Sequence, residues 1–175
     1  MNDKKRQKNI GKDCAYIGVF VALTIAAQLC LSFLPGVELV TVLFVAFSFA
    51  FGCKRGMAAA TVFSLLRQLV FGFYPTVLVL YLIYYNGLTL LFGEVGRRVK
   101  VSAKTLVWLT VVACVCTACF TLLDNILTPL WYGYSGRVLR IYFMASFSVM
   151  LPQVVCTAVS VGVLFVPLTK LFQKI

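Results

Sequence analysis

One arginine lies inside an otherwise apolar segment of this sequence. Arg67 occurs within Leu65-Leu66-Arg67-Gln68-Leu69, in a stretch long enough for a membrane helix. A guanidinium is costly in a bilayer and must face protein, water or an anion. Two interpretations stay open. Arg67 binds an anionic ligand, or it reaches the headgroups or a structural partner such as Asp124.

Aromatic rings and amides elsewhere in the chain are candidates for the same site. Tyr81 and Tyr85 are one helical turn apart, and their rings and hydroxyls suit a pocket, although an interfacial tyrosine belt has the same spacing. The further candidates are Asn125, Trp131 and Arg137, in a segment rich in aromatic residues that could also anchor to headgroups, and Gln153, beside a proline. Arginines together with rings favour a solute that has a carboxylate or phosphate and a planar part.

Signatures of catalysis are missing from the sequence. The chain has no histidine, no phosphate-binding Gly-x-x-x-x-Gly-Lys-Ser/Thr pattern and five acidic residues in separate segments. Cys114, Cys116 and Cys119 share one predicted helix, but the first two point to different sides of it and suit packing. We therefore expect no enzyme, no metal site, no catalytic residue and no cofactor.

Composition places the chain in a membrane. Its 175 residues are 62% hydrophobic and 12% charged, with a mean hydropathy of +0.98, far above that of ordinary soluble domains. The length allows one membrane domain and no separate soluble domain. We attribute the net charge of +11 to basic residues that set the orientation of the chain in the membrane, because of where they lie in the sequence. We therefore expect no nucleic-acid partner.

Apolar runs and breaks predict an all-α, polytopic membrane protein with six transmembrane helices in a single domain spanning residues 1–175. A basic segment, 1–13, precedes the first helix, and residues 124–140 are predicted as an extracellular loop. The helices are predicted at about 14–34, 38–52, 57–73, 77–96, 105–123 and 141–171. The second is short for a span, and the last contains Pro152 and Pro167.

Basic residues alternate from one predicted loop to the next. Thirteen of the sixteen Lys and Arg fall in the amino-terminal segment, the second and fourth loops and the carboxyl tail, against Arg137 and Arg140 in the other loops and Arg67 in a span. The positive-inside rule then predicts cytoplasmic N- and C-termini in the cell membrane.

Small residues recur at every fourth position of the first predicted helix, at Cys14, Gly18, Ala22, Ala26 and Cys30. This spacing puts them on one helical face, where another helix can approach closely. The face packs against the chain's own helices, or it docks an external protein partner.

Several of these features together resemble the substrate-binding S component of an energy-coupling factor (ECF) vitamin transporter. The resemblance covers nearly the whole chain. It rests on the size, the basic amino terminus, Ala22 and Ala26 on the first helix, and the sequences Pro35-Gly36-Val37-Glu38, Phe71-Gly72-Phe73-Tyr74-Pro75 and Leu151-Pro152-Gln153.

The resemblance implies a function and partners. Gly18, Ala22 and Ala26 would dock on a transmembrane coupling subunit that carries two cytosolic ATPases. A small-molecule solute, a vitamin or related micronutrient, would bind in an outer cavity built from the last three helices. Applied to this sequence, the resemblance implies that the solute-binding residues are Tyr81, Tyr85, Asn125, Trp131, Arg137 and Gln153. Arg67 is added from the third helix.

Two other functions remain alternatives. A small structural or scaffold membrane protein without transport activity would use the same small-residue face but have no closed cavity. A membrane-embedded thiol enzyme would need Cys114, Cys116 and Cys119, and replacing all three with alanine would abolish its function.

Overall fold

Six helices make up the computed structural model of the chain. It describes residues 2–34 and 36–174, with side chains from residue 11 onward, and this part is 89% helical with no strand. The helices are α1 (Asn2–Leu31), α2 (Val40–Phe51), α3 (Cys53–Phe71), α4 (Pro75–Arg98), α5 (Ala103–Tyr132) and α6 (Gly136–Lys174). The all-α fold class is therefore confirmed. The side chains of Lys4, Lys5, Arg6 and Lys8, and the whole of Pro35, lie outside the described residues.

Four of the described helical segments are long and apolar enough to cross a membrane: Gly11–Leu31, Pro75–Arg98, Ala103–Tyr132 and Gly136–Lys174. Helix α3 carries Lys54, Arg55 and Arg67, which lower its hydropathy. Helix α2 has only 12 residues, or about 18 Å at the usual rise, against about 30 Å of hydrocarbon. The chain thus has the helices of a membrane protein, with α2 as a short apolar exception.

Helix α2 forms the centre of the molecule. Every residue from Val40 to Phe49 is buried, as expected for a helix that is apolar on all sides. Phe44 packs against Phe63 of α3 and Tyr85 of α4, with ring centroids 5.2 and 4.8 Å apart. The other helices therefore pack around a helix that is itself sealed from lipid.

Glycines let α4 approach the junction of α2 and α3 closely. A Cβ added at Gly93 would lie 2.8 Å from the Cα of Cys53, and one added at Gly96 would lie 2.8 Å from the Cα of Phe49. Such distances to backbone atoms are shorter than real contacts, so only glycine fits at either position. This packing fixes α4 against the core.

The connection between α5 and α6 differs from the extracellular loop that the sequence predicts over 124–140. Helix α5 continues to Tyr132 through Pro129, and only residues 133–135 separate it from α6. Asp124 there accepts hydrogen bonds from Thr128 at 2.7 Å and from Tyr142 at 2.6 Å, whereas the buried side-chain amide of Asn125 has no hydrogen-bond partner among the described residues. Helix α6 likewise continues through Pro152 and Pro167.

Helix α1 packs on the bundle through one face only. Phe20 is buried and stacks on Phe47 with ring centroids 4.0 Å apart, and Thr24 is fully buried beside it. The small-residue face, defined as Cys14, Gly18, Ala22, Ala26 and Cys30, is exposed at all five positions. These residues therefore do not pack against the chain's own helices.

Candidate binding cavity

A cavity of about 400 Å³ lies where the loop between α1 and α2 meets α3, α4, α5 and α6. This volume falls within the usual range for small-molecule sites. It is lined by Gln28, Leu31, Ser32, Leu34, Gly36, Val37, Glu38, Arg67, Phe71, Tyr81, Phe120, Val149 and Gln153. Rings and aliphatic groups form most of its wall, and polar groups from α1, the α1–α2 loop, α3, α4 and α6 converge on it.

Arg67 reaches this cavity between two aromatic rings. Its guanidinium carbon lies 4.8 Å from the centroid of Phe71 and 4.6 Å from that of Tyr81. Its Nε and Nη1 atoms are buried without a hydrogen-bond partner, and no carboxylate in the described residues forms an ion pair with it. Because buried charged donors are normally satisfied, these N–H groups are available to a bound acceptor.

Asp124, the structural partner considered for Arg67, is committed elsewhere. Its carboxylate accepts a hydrogen bond from Thr128 of the same helix and one from Tyr142, which joins α5 to α6. Arg67 therefore has aromatic rings near it but no ion-pair partner within the described residues.

Glu38 brings a carboxyl group to the same cavity from the loop before α2. Thr41 donates a hydrogen bond to its Oε1 at 2.9 Å. Burial raises the pKa of Glu38, and hydrogen bonds from Gln153 and Thr41 partly oppose that shift by favouring the charged form. The cavity thus contains one basic and one acidic side chain that are not paired with each other.

The loop that carries Glu38 is held against α6. Gly36 has a positive φ of 79°, and a Cβ there would lie 3.0 Å from the Cβ of Pro152. The Cys156 thiol also donates to the backbone oxygen of Glu38 at 3.4 Å. Both contacts keep Glu38 next to Gln153.

Gln28 links α1 to the cavity wall. Its Nε2 donates to the Tyr81 hydroxyl at 3.1 Å, and its Oε1 is buried without a hydrogen-bond partner. The hydroxyl hydrogen of Tyr81 and the free oxygen of Gln28 add a donor and an acceptor to those of Arg67 and Glu38.

A second cavity of about 290 Å³ adjoins the first and shares Phe120, Val149 and Gln153 with it. Its remaining wall includes Asp124 and Tyr142, whose hydrogen bond to each other is already made. The second cavity therefore extends the space between α5 and α6, and its one carboxylate, that of Asp124, is already hydrogen-bonded.

The structure brings three of the seven predicted solute-site residues together: Arg67, Tyr81 and Gln153 line the main cavity. Tyr85 is buried in the core against Phe44. The other three lie apart from the main cavity: Asn125 is buried beside a different one, and Trp131 and Arg137 are exposed near the α5–α6 connection.

Gln28 and Glu38 were not among the predicted site residues. Both carry signals in the sequence, because each is a polar side chain in or next to an apolar segment. What the sequence does not contain is the packing of Gly36 on Pro152, which turns Glu38 inward.

No family model, curated protein or solved structure matches this chain. Within the described residues, no group of three His, Cys, Asp or Glu could hold a metal ion. The strongest chemical feature is the cavity around Arg67.

Proposed function

We propose that this chain is the substrate-binding subunit of an ECF-type importer in the cell membrane. It captures a vitamin or related micronutrient from outside, and a separate coupling subunit with two cytosolic ATPases drives delivery inward. The observation that carries this proposal is Arg67, whose two buried, unpartnered nitrogens face a cavity of about 400 Å³. A scaffold protein has no use for such a costly group.

The proposed topology has six spans with both termini in the cytoplasm. Its support is the distribution of Lys and Arg, which collect at the end of the bundle where α3 begins. At that same end, Arg55 forms an ion pair with Asp13 of α1, with 2.7 Å between Nη2 and Oδ1. In this orientation the α1–α2 connection, which lines the cavity, and the α3–α4 connection face outside.

The proposed docking surface is the small-residue face of α1. Gly18, Ala22 and Ala26 are exposed, and a Cβ added at Gly18 would meet no atom within 4 Å. A groove without bulky side chains suits a reversible helix–helix contact in the membrane. The absence of a phosphate-binding motif from this sequence agrees with ATP hydrolysis on another chain.

The direct test is to identify what the protein holds when it is purified. Wild type, Arg67→Gln and Arg140→Gln are purified in mild detergent and extracted, and the extracts are analysed by mass spectrometry. We expect a near-stoichiometric small molecule in wild type and in Arg140→Gln, whose exposed arginine lies outside the cavity. It should be lost from Arg67→Gln.

Two further measurements make this test decisive. Arg67→Lys keeps the charge, so partial retention of the molecule would separate binding from folding. Cells that express the chain with an ECF coupling module should accumulate the extracted compound only when ATP is available. Absence of a bound molecule from wild type, together with absence of uptake, would contradict the proposal.

A further inference from the structure

Two side chains of opposite charge open onto the main cavity, and neither neutralises the other. Arg67 comes from α3 and Glu38 from the α1–α2 loop, and no ion pair joins them. We infer that the solute of this cavity is a zwitterion, with an anionic group for Arg67, a cationic group for Glu38 and a planar or apolar part between or beside them. This inference rests on the proposed function.

An anion alone fits the cavity poorly. It would satisfy Arg67 but would lie in a small space beside the Glu38 carboxyl, where repulsion and burial both count against it. A cation alone would satisfy Glu38 but would be repelled by the Arg67 guanidinium. A solute with both charges is attracted by both side chains, and its own net charge is zero when it leaves water.

The remaining hydrogen-bonding groups are consistent with this assignment. Glu38 accepts hydrogen bonds from Thr41 and Gln153, and because each carboxylate oxygen has two lone pairs, the group can accept a further hydrogen bond from a solute. The buried Oε1 of Gln28 is a second acceptor without a partner. Acceptors and unpartnered donors therefore meet in one cavity, as a solute with both a cationic and an anionic end requires.

The aromatic wall determines the rest of the solute. The Arg67 guanidinium carbon lies over the rings of Phe71 and Tyr81, and its unpartnered Nε and Nη1 are available to the solute. Phe120 and Val149 line the cavity as well and offer apolar contact area. A ring or short apolar body fits this wall better than a sugar or a polyol, because most of the lining cannot hydrogen-bond.

The experiment compares matched compounds that differ only in charge. The first set is L-tryptophan, indole-3-propionate and tryptamine. The second is 4-(aminomethyl)benzoate, 4-methylbenzoate and 4-methylbenzylamine, which places the charges at opposite ends of a ring. Binding to the purified protein, freed of endogenous solute, is measured by isothermal titration and by the shift in unfolding temperature.

We expect the zwitterion of at least one set to bind about tenfold or more tightly than either singly charged analogue, as for one charge-assisted hydrogen bond. Glu38→Gln should remove that advantage and leave the affinity for the anion unchanged or higher. Arg67→Lys should retain part of the advantage, and Arg140→Gln should retain all of it.

Two results would overturn the inference. One is that indole-3-propionate or 4-methylbenzoate binds wild type as tightly as its zwitterion, and the other is that neither zwitterion binds at millimolar concentration. In both cases the proposed function stands or falls separately, on whether purified wild type carries a bound small molecule that is lost from Arg67→Gln.

Discussion

Gln28 of α1 donates a hydrogen bond to the hydroxyl of Tyr81 in α4, with 3.1 Å between Nε2 and Oη. The ring of the same tyrosine lies 4.6 Å from the Arg67 guanidinium carbon. Tyr81 therefore connects Arg67 in the cavity wall to α1, whose opposite side is the exposed small-residue face. In the proposed importer, this contact links the solute cavity to the helix that carries the docking surface.

Tyr81 is expected to act through both its ring and its hydroxyl. Tyr81→Phe keeps the ring over Arg67 but leaves the Gln28 amide without its acceptor, at a cost of about 1 kcal/mol in unfolding free energy. Tyr81→Leu also removes the cation–π contact, worth about 1–2 kcal/mol when desolvated. Because Tyr81 also lines the cavity, the two substitutions remove first its hydroxyl and then its ring from the solute, so solute affinity should fall in the order wild type, Tyr81→Phe, Tyr81→Leu. Equal affinities for all three would show that Tyr81 does not contact the solute.

The carboxyl group of Glu38 should make the stability of the folded protein fall as the pH rises. Its pKa is raised by burial, so the folded protein binds this proton more tightly than the unfolded chain. The resulting stabilisation is fully present below the unfolded pKa, about 4.3, and is lost as the pH rises through the raised folded pKa. Glu38→Gln should have a flatter profile and a higher unfolding temperature than wild type at neutral pH.

The measurement is thermal unfolding of solute-free wild type and Glu38→Gln between pH 4 and pH 9. Glu94→Gln serves as the control, because its carboxylate lies in exposed ion pairs with Arg97 and Arg98. A wild-type profile that matches Glu38→Gln would mean that the carboxyl is not buried in solution.

Much of the fold follows from local sequence. Gly52 and Gly72 adopt positive φ at the breaks between predicted helices, and Pro75 begins α4 as its fixed φ favours. The extension of α5 through Pro129 could not be predicted from local sequence. It places Asp124 inside a helix, where its carboxylate accepts a hydrogen bond from Tyr142 of α6. That contact is tertiary and has no signature in the local residue types.

The site was predictable to a similar extent. Arg67 stands out because a charge in an apolar segment needs a partner, and the cavity forms around it. The sequence could not show that Tyr81 lines the cavity while Tyr85 is buried in the core. Helix α4 is apolar on several faces, and the sequence does not say which face turns toward α2. Glu38 depends on a loop packed against α6, and that packing exists only once all the helices have assembled.

Gly36 provides a test of that loop. Alanine there would be strained by the positive φ and would press on Pro152, so the loop must move and carry Glu38 with it. We expect Gly36→Ala to weaken solute binding about tenfold or more. Gly133→Ala is the matched control, because its φ is +66° but a Cβ there meets no atom within 4 Å. Equal binding by the two variants would show that the loop does not shape the cavity.

The glycines of α4 predict a stability effect that is separate from binding. Gly93→Ala would place a methyl group 2.8 Å from the Cα of Cys53, and such overpacking costs about 1–3 kcal/mol. Gly87→Ala, in the same helix, meets no atom within 4 Å and should be neutral or stabilising by up to about 1 kcal/mol. Unfolding temperatures in detergent provide the comparison, and a Gly93→Ala protein as stable as wild type would contradict the close packing.

The exposed face of α1 gives the last prediction. Ala22→Trp combined with Ala26→Trp adds bulk to a face that is exposed in the described structure, so the fold and solute binding should be unchanged. Co-purification with an ECF coupling subunit should be abolished. Val159→Trp with Val163→Trp is the matched control, since these α6 residues are also exposed and four apart. Loss of solute binding together with the complex would show a damaged fold, whereas an intact complex would mean that the partner docks elsewhere.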